Sequence, residues 1–208
     1  RMSRHIVLLA LCALMALPLA AQAVDNRDPQ TIVDQTTQKI LGIIDSERSE
    51  LKEDPERLHQ IVRTDLLPLM DIDYSARLIL GKAGRGVSNE QLRAFSDAMS
   101  DLLINRYADG LLDYKSGEEV QVLPSNSKDS DKLTRVRTRI KLDNGQYTPV
   151  DYAFHKTPDG WKAFDVLVEG ISYVVTFRNQ IVPLVESQGI EKVTQDIRAG
   201  NLVLKTDV

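Results

Sequence analysis

The hydrophobic positions of this chain change period twice. Between residues 29 and 113 they recur at helical spacing, then alternate with polar residues after Gly117, then return to helical spacing after Ser172. Asp28 followed by Pro29 reads as an N-cap with proline in the first turn, and Val33, Thr37, Ile40 and Ile44 predict a helix from Pro29 to about Ser49. The same signal at Asp54-Pro55 opens a second helix carrying Leu58, Ile61, Val62 and Leu66, broken near Pro68. Asp71 or Asp73 caps a third, which ends at Leu80 before Gly81. Ser88 and Gln91 form a capping box for the next, expected to be the longest and to run to about Asp113. Its apolar stripe is Leu92, Phe95, Met99, Leu102, Leu103, Tyr107 and Leu111.

Four strands are predicted: a short one at Val120 and Val122, then Leu133 to Leu142, Tyr147 to Lys156, and Trp161 to Val168. In the second, Val136, Thr138, Ile140 and Leu142 share one face while Arg135, Arg137, Arg139 and Lys141 share the other. Matching the apolar faces across Asn144-Gly145 sets Asp143 opposite Tyr147, Ile140 beside Val150, Thr138 beside Tyr152, Val136 beside Phe154 and Arg139 opposite Asp151. Across Thr157 to Gly160 it pairs Tyr152 with Phe164, Val150 with Val166, and Asp151 with Asp165. The outer row Arg139, Asp151, Asp165 is then charge-compensated, which reads the basic strand as a solvated face rather than an anion site. The last strand runs through Gly170 into a helix from Ser172 to about Ser187, and a final helix spans Ile190 to Arg198. The fold class is α+β: an antiparallel sheet of about four strands with one apolar face, covered by five or six helices.

Composition narrows the setting. The chain has 208 residues, 42% hydrophobic and 27% charged, enough for one well-buried domain. Residues 1–23 read as a secretory signal peptide: Arg4 and His5, an apolar run from Ile6 to Leu19, and Ala21-Gln22-Ala23 as the cleavage site. Residues 24–208 form the domain, its tail from Asn201 expected to be less ordered. The sole cysteine, Cys12, lies in the signal, so the remaining chain has no disulfide and no thiolate, as suits a bacterial periplasm. Without Arg1 and Arg4 the 26 basic residues become 24 against 30 acids, a net charge near −6 that disfavours nucleic acid as a partner.

Catalytic chemistry finds little support. No Gly-x-Ser-x-Gly or His-Glu-x-x-His occurs, and only His59 and His155 follow the signal. Asp71 and Asp73 lack a third metal ligand nearby, and the glycines from Gly81 to Gly86 follow a helix, where a phosphate cradle follows a strand. Asp151 and Asp165 are the one candidate acid–base pair, and structural pairing beside Arg139 is the better reading.

The residues also carry a family resemblance. Leu78-Ile79-Leu80-Gly81, the run Glu90-Gln91-Leu92-Arg93-Ala94-Phe95 continuing to Tyr107, Asp143-Asn144-Gly145, Trp161-Lys162-Ala163-Phe164-Asp165-Val166 and Val168-Glu169-Gly170-Ile171-Ser172 resemble the MlaC proteins. These are the periplasmic phospholipid shuttles of the maintenance-of-lipid-asymmetry pathway, also called toluene-tolerance auxiliary proteins. The likeness runs from about Asp28 to Gly200, departing at Lys82-Ala83-Gly84, where members often carry aromatic residues.

The resemblance implies a hydrophobic cavity between helices and sheet that holds glycerophospholipid as cargo, with no cofactor. It implies handoff between an outer-membrane lipoprotein complex and the periplasmic substrate-binding subunit of an inner-membrane ABC transporter, by a protein expected to be a monomer. The residues expected to line the cavity are Phe95, Met99, Leu102 and Tyr107 of the long helix, Ile140, Val150, Tyr152, Phe154, Phe164, Val166 and Val168 of the sheet, and Tyr173 and Phe177 of the closing helix. The competing readings are a periplasmic adaptor or chaperone with a shallow apolar patch, and an α+β enzyme with ionisable groups inside the cavity.

Overall fold

The computed structural model describes residues 24–115, 119–124, 130–142 and 144–206. The expected signal peptide and its cleavage site, Asp143, and most of the polar segment from Ser125 to Lys132 lie outside the described residues. Helix α1 spans Pro29–Glu53, capped by the Asp28 carboxylate, which accepts from the Thr31 amide. It runs past Ser49 because Leu51 is wholly buried, and it stops at Asp54, where the following proline disfavours helical backbone. At 25 residues it is longer than α4, which spans Asn89–Tyr107, behind the expected capping box, and continues only as a tighter turn over Ala108–Asp113. Asp109 and Gly110 are poor helix formers, so the regular helix ends early.

Helix α2 (Pro55–Ile61) passes into a π-helical turn, Val62–Leu66, and a 3-10 turn, Leu67–Leu69, before α3 (Ile72–Leu80). Helices α5 (Tyr173–Gln188) and α6 (Ile190–Arg198) close the chain. The tail from Asn201 differs from the expectation of looseness: Leu204 is buried, and the Gln180 side chain donates to the Lys205 carbonyl and accepts from its amide.

The sheet is a five-stranded antiparallel meander, β1 (Val120–Val122), β2 (Leu133–Lys141), β3 (Tyr147–Thr157), β4 (Gly160–Val168) and β5 (Ile171–Ser172). The fifth strand, absent from the sequence expectation, folds back through Glu169 and Gly170, both with positive φ (52° and 82°), the conformation of a tight two-residue turn.

The β2–β3 register is offset by two places from the expected one: Lys141 lies opposite Tyr147, Thr138 opposite Val150, Val136 opposite Tyr152, and Arg137 opposite Asp151. An offset of two preserves the pleat, so the apolar and basic faces come out as expected while every named pair changes. Arg139 faces Pro149, not Asp151. It lies over the Tyr147 ring at 4.1 Å and donates to Gln121, while Arg135 lies 3.7 Å from Asp151.

Between β3 and β4 the register breaks at Ala153/Phe154: Tyr152 faces Val166 and Val150 faces Val168, but Phe154 faces Ala163. Phe164 is the extra residue of a bulge. The carbonyls there are taken up by the start of α3, with the Asp71 amide donating to Ala163 at 2.8 Å and the Ser75 hydroxyl to Phe164 at 2.7 Å. Asp151 therefore faces Leu167 and Asp165 faces Ala153, correcting the expected Asp151–Asp165 pair.

The core is divided. Helices α3 to α6 pack on one another around Phe95, Met99, Phe177 and Ile181. The sheet's apolar face packs through Val136, Phe154 and Ala163 against Ile32 and Val33 of α1. The rest of α1 packs through Ile44 and Leu51 on Leu58 of α2.

Candidate functional site

The site follows from how completely each apolar side chain is covered. Along the sheet's apolar face, Val136, Phe154 and Ala163 are buried beneath α1, whereas Ile140, Tyr152, Val166 and Val168 are only half-buried, as are Val120 and Val122 of β1. The apolar face is thus sealed at Val136, Phe154 and Ala163 and again at Thr138 and Val150, but keeps uncovered surface at Ile140, Tyr152, Val166 and Val168. The segment from Ile61 to Met70 shows the same feature: Ile61, Val62, Leu66, Leu67, Leu69 and Met70 are all half-buried and none is fully covered. Leu69 and Met70 pack against the sheet cluster, Ile61 and Leu66 against the α1–α2 cluster. These side chains therefore keep apolar surface that the fold does not cover.

The irregular backbone of this segment is held from two sides. Lys39 of α1 donates to Asp65 at 2.8 Å, and Arg63 donates to Asp101 of α4 at 2.5 Å. A π-helical turn is rare and recurs at functional sites. Here it sits between two ion pairs that are exposed enough to break and reform cheaply.

The thirteen residues expected to line one cavity fall into separate places. Ile140, Val150, Tyr152, Phe154, Val166 and Val168 do share the sheet's apolar face, with Val150 and Phe154 at its buried positions. Phe95, Met99 and Phe177 are instead fully enclosed in the α3–α6 core, with Leu102 and Tyr173 packed against it. Tyr107 is exposed at the end of α4, its hydroxyl 3.5 Å from the Leu204 carbonyl. The stripe of α4 satisfies the neighbouring helices, so it does not reach the sheet.

Phe164 departs most from expectation. The bulge takes it off the apolar face to meet His155 and Tyr74 edge-on, at 5.5 and 5.2 Å between ring centres. His155 stacks on Tyr74 at 4.1 Å and shares a hydrogen bond with the Asp71 carboxylate, 2.9 Å away. The other Asp71 oxygen caps α3 by accepting from the Tyr74 amide. Asp71 is thus a cap and a strand anchor, and Asp73 accepts from the buried Ser96 hydroxyl at 2.6 Å. Among the described residues no three His, Cys, Asp or Glu side chains gather as a metal site would require. His59 lies beside Asp109 and Glu56.

The candidate acid–base pair loses its geometry. Asp165 accepts from the Val174 amide at 3.0 Å and the Ser172 hydroxyl at 2.5 Å, which commits both oxygens to the start of α5. Sequence reading missed this role because the cap comes from a strand rather than from the residue preceding the helix. The Gly81–Gly84 turn is held by Arg178, whose guanidinium donates to the Leu78 carbonyl at 2.6 Å and packs beside Gly81.

Two grooves of about 570 and 490 Å³ flank the start of α6, and polar residues such as Gln91, Glu191 and Gln195 line both. None of the thirteen expected residues lies in them, and charged and amide side chains such as Glu191, Gln91 and Gln195 in both do not suit an acyl chain.

Comparison with known proteins agrees with this architecture. The family described as MlaC protein matches residues 34–199. The intermembrane phospholipid transport system binding protein MlaC of Haemophilus influenzae is 27% identical over 183 residues, 86% of this chain and 84% of that one. The toluene tolerance protein ttg2D of Pseudomonas putida is 27% identical over 187 residues, 89% and 84% of the two chains. A solved phospholipid-binding protein from Ralstonia solanacearum, in complex with a phospholipid, superposes with a TM-score of 0.75 at 23% identity, covering 84% of this chain and 97% of that one. At that identity the likeness speaks for the fold.

Proposed function

The chain belongs to the MlaC family, and from that premise we propose that it carries phospholipid between membranes, holding the acyl chains against the incompletely covered apolar face of β2, β3 and β4. The observation that carries this reading is the incomplete burial of part of that face. Ile140, Tyr152, Val166 and Val168 stay half-buried although apolar neighbours surround them, which leaves room for an apolar guest. Burying one acyl chain of about sixteen carbons is worth roughly 12 kcal/mol at about 0.8 kcal/mol per methylene, so a bound lipid leaves for water only rarely.

That magnitude shapes the mechanism. Exchange takes place while the carrier is docked to a membrane complex, where the lipid passes from one apolar surface to another. The covering elements must shift for this, and the π-helical turn between Lys39–Asp65 and Arg63–Asp101 is the least regular of them. The donor and acceptor in this reading are an outer-membrane lipoprotein complex and the periplasmic subunit of an inner-membrane ABC transporter, with the carrier in the periplasm after removal of residues 1–23. The basic row Arg135, Arg137, Arg139 and Lys141 stands on the sheet's other face, away from the face that holds lipid. The reading assigns no catalytic step and no cofactor, the phospholipid being cargo. Among the described residues no helix is long and apolar enough to cross a membrane.

Mass spectrometry of the organic extract of purified protein tests the reading. Stoichiometric glycerophospholipid is expected. Protein that emerges lipid-free and takes up none from vesicles overturns it.

A further inference from the structure

Tyr152 stands in the middle of β3, the central strand, with Val136 and Val166 directly opposite it on β2 and β4. It packs against the sheet cluster of Val136, Phe154 and Ala163, which meets Ile32 and Val33 of α1. Its surroundings are apolar and close, and burial pushes its phenol above the ordinary tyrosine value. Yet the residue keeps accessible surface. It is therefore a partly uncovered part of the apolar wall rather than sealed core.

The hydroxyl has no hydrogen-bond partner among the described residues, and it is not among the side-chain polar atoms sealed from solvent, so the oxygen stays accessible. Thr138 supplies the contrast. It is buried on the same face, and its hydroxyl donates to the Val150 carbonyl at 2.6 Å, so it needs nothing from a guest. An accessible phenol bonds to water, so an apolar guest that displaces this water strands the hydroxyl unless the guest brings an acceptor of its own.

The chemistry of that acceptor is constrained by the sheet. A phosphate would carry charge into this space, and Arg135, Arg137, Arg139 and Lys141 alternate with Val136 and Thr138, which places them on the opposite face. A neutral carbonyl has no such requirement. In a glycerophospholipid the neutral acceptors are the ester carbonyls where the tails join glycerol.

We propose that the Tyr152 hydroxyl donates a hydrogen bond to an ester carbonyl of the bound glycerophospholipid, fixing the depth of the lipid on the sheet and favouring ester-linked over ether-linked tails. The inference rests on the carrier reading above. It adds a polar specificity contact to a wall that is otherwise apolar.

The test uses the full chain freed of lipid, with dioleoyl phosphatidylglycerol and its dioleyl diether counterpart competing against a fluorescent phospholipid. The unsubstituted protein is expected to prefer the diester by about three- to tenfold, the span of one net hydrogen bond. Tyr152→Phe is expected to bring the ratio to about one. Unsubstituted protein that binds both lipids equally, or a Tyr152→Phe variant that keeps the preference, overturns the Tyr152 assignment and leaves the carrier reading intact. Unsubstituted protein that binds neither lipid overturns the carrier reading together with it.

Discussion

Asp165 accepts a hydrogen bond from the backbone N–H of Val174 at 3.0 Å, so a carboxylate on β4 caps a helix that begins eight residues later at Tyr173. Its second oxygen takes the Ser172 hydroxyl, and Ser172 in turn accepts from the Val175 amide. Strand, turn and helix are thereby locked as one unit, with the positive end of the helix facing the carboxylate. Asp165→Ala is expected to lower unfolding free energy by about 1–2 kcal/mol, and Asp165→Asn by less. Denaturant melts of the two variants check this, and an Ala variant as stable as the parent would sink it.

Gly160 sits where no side chain fits. Its φ is 109°, and a Cβ there would lie 2.2 Å from the Asp25 carbonyl oxygen, since the two residues form a parallel bridge and the Asp25 amide donates to Asp159. Gly160→Ala is expected to cost about 2 kcal/mol or more and to release the segment before α1. Calorimetry and hydrogen exchange at the Asp25 amide read both effects. An Ala variant with unchanged exchange would contradict the close approach.

Val166 faces Tyr152 on the half-buried part of the apolar wall. Val166→Asp puts an unpaired carboxylate where the acyl chain is proposed to lie, and lipid recovered with the protein is expected to fall at least about tenfold. The exposed-loop variant Asn144→Asp is the control for an added charge. Undiminished lipid content in a folded Val166→Asp protein would place the acyl chains elsewhere.

Two carboxylates at the start of the described chain titrate low. The Arg27 side chain, by hydrogen bonding, holds Asp25 below the ordinary 3.8, and the Thr31 hydroxyl, followed by its amide, does the same for Asp28. Groups depressed in the folded state stabilise it above their unfolded value and stop doing so as pH falls through the lowered folded values, so this contribution is lost below about pH 4. Carboxyl NMR titration is expected to show both low in the parent and Asp25 moving back toward the ordinary value in Arg27→Ala. An unmoved Asp25 would assign its shift to something other than the guanidinium.

Local signals were legible to the residue. The caps at Asp28, Asp54 and Ser88 depend on donors within three positions and hold, and of the two candidates Asp71 and Asp73 the structure uses Asp71. The sheet's two faces were legible because alternation belongs to the strand itself. Partner identity was not: an offset of two leaves Val136, Thr138 and Ile140 inward whichever residues oppose them. The thirteen expected residues fall in separate places for the same reason, since Phe95 and Phe177 are apolar at helical spacing whether they face a sheet or other helices.

Sequence alone determined the helices, the alternating strands, the α+β class and the side on which the basic row stands, because each is set by neighbours a few residues apart. Tertiary structure decided what those elements do together. The bulge that turns Phe164 toward His155 exists because α3 supplies donors to the carbonyls of Ala163 and Phe164 from some ninety residues away. The partly covered wall around Tyr152 exists because α1 packs on Val136, Phe154 and Ala163 and leaves Ile140, Val166 and Val168 partly uncovered. Pairing across such distances leaves no period in the chain, so only the packed fold shows where an apolar face stays open.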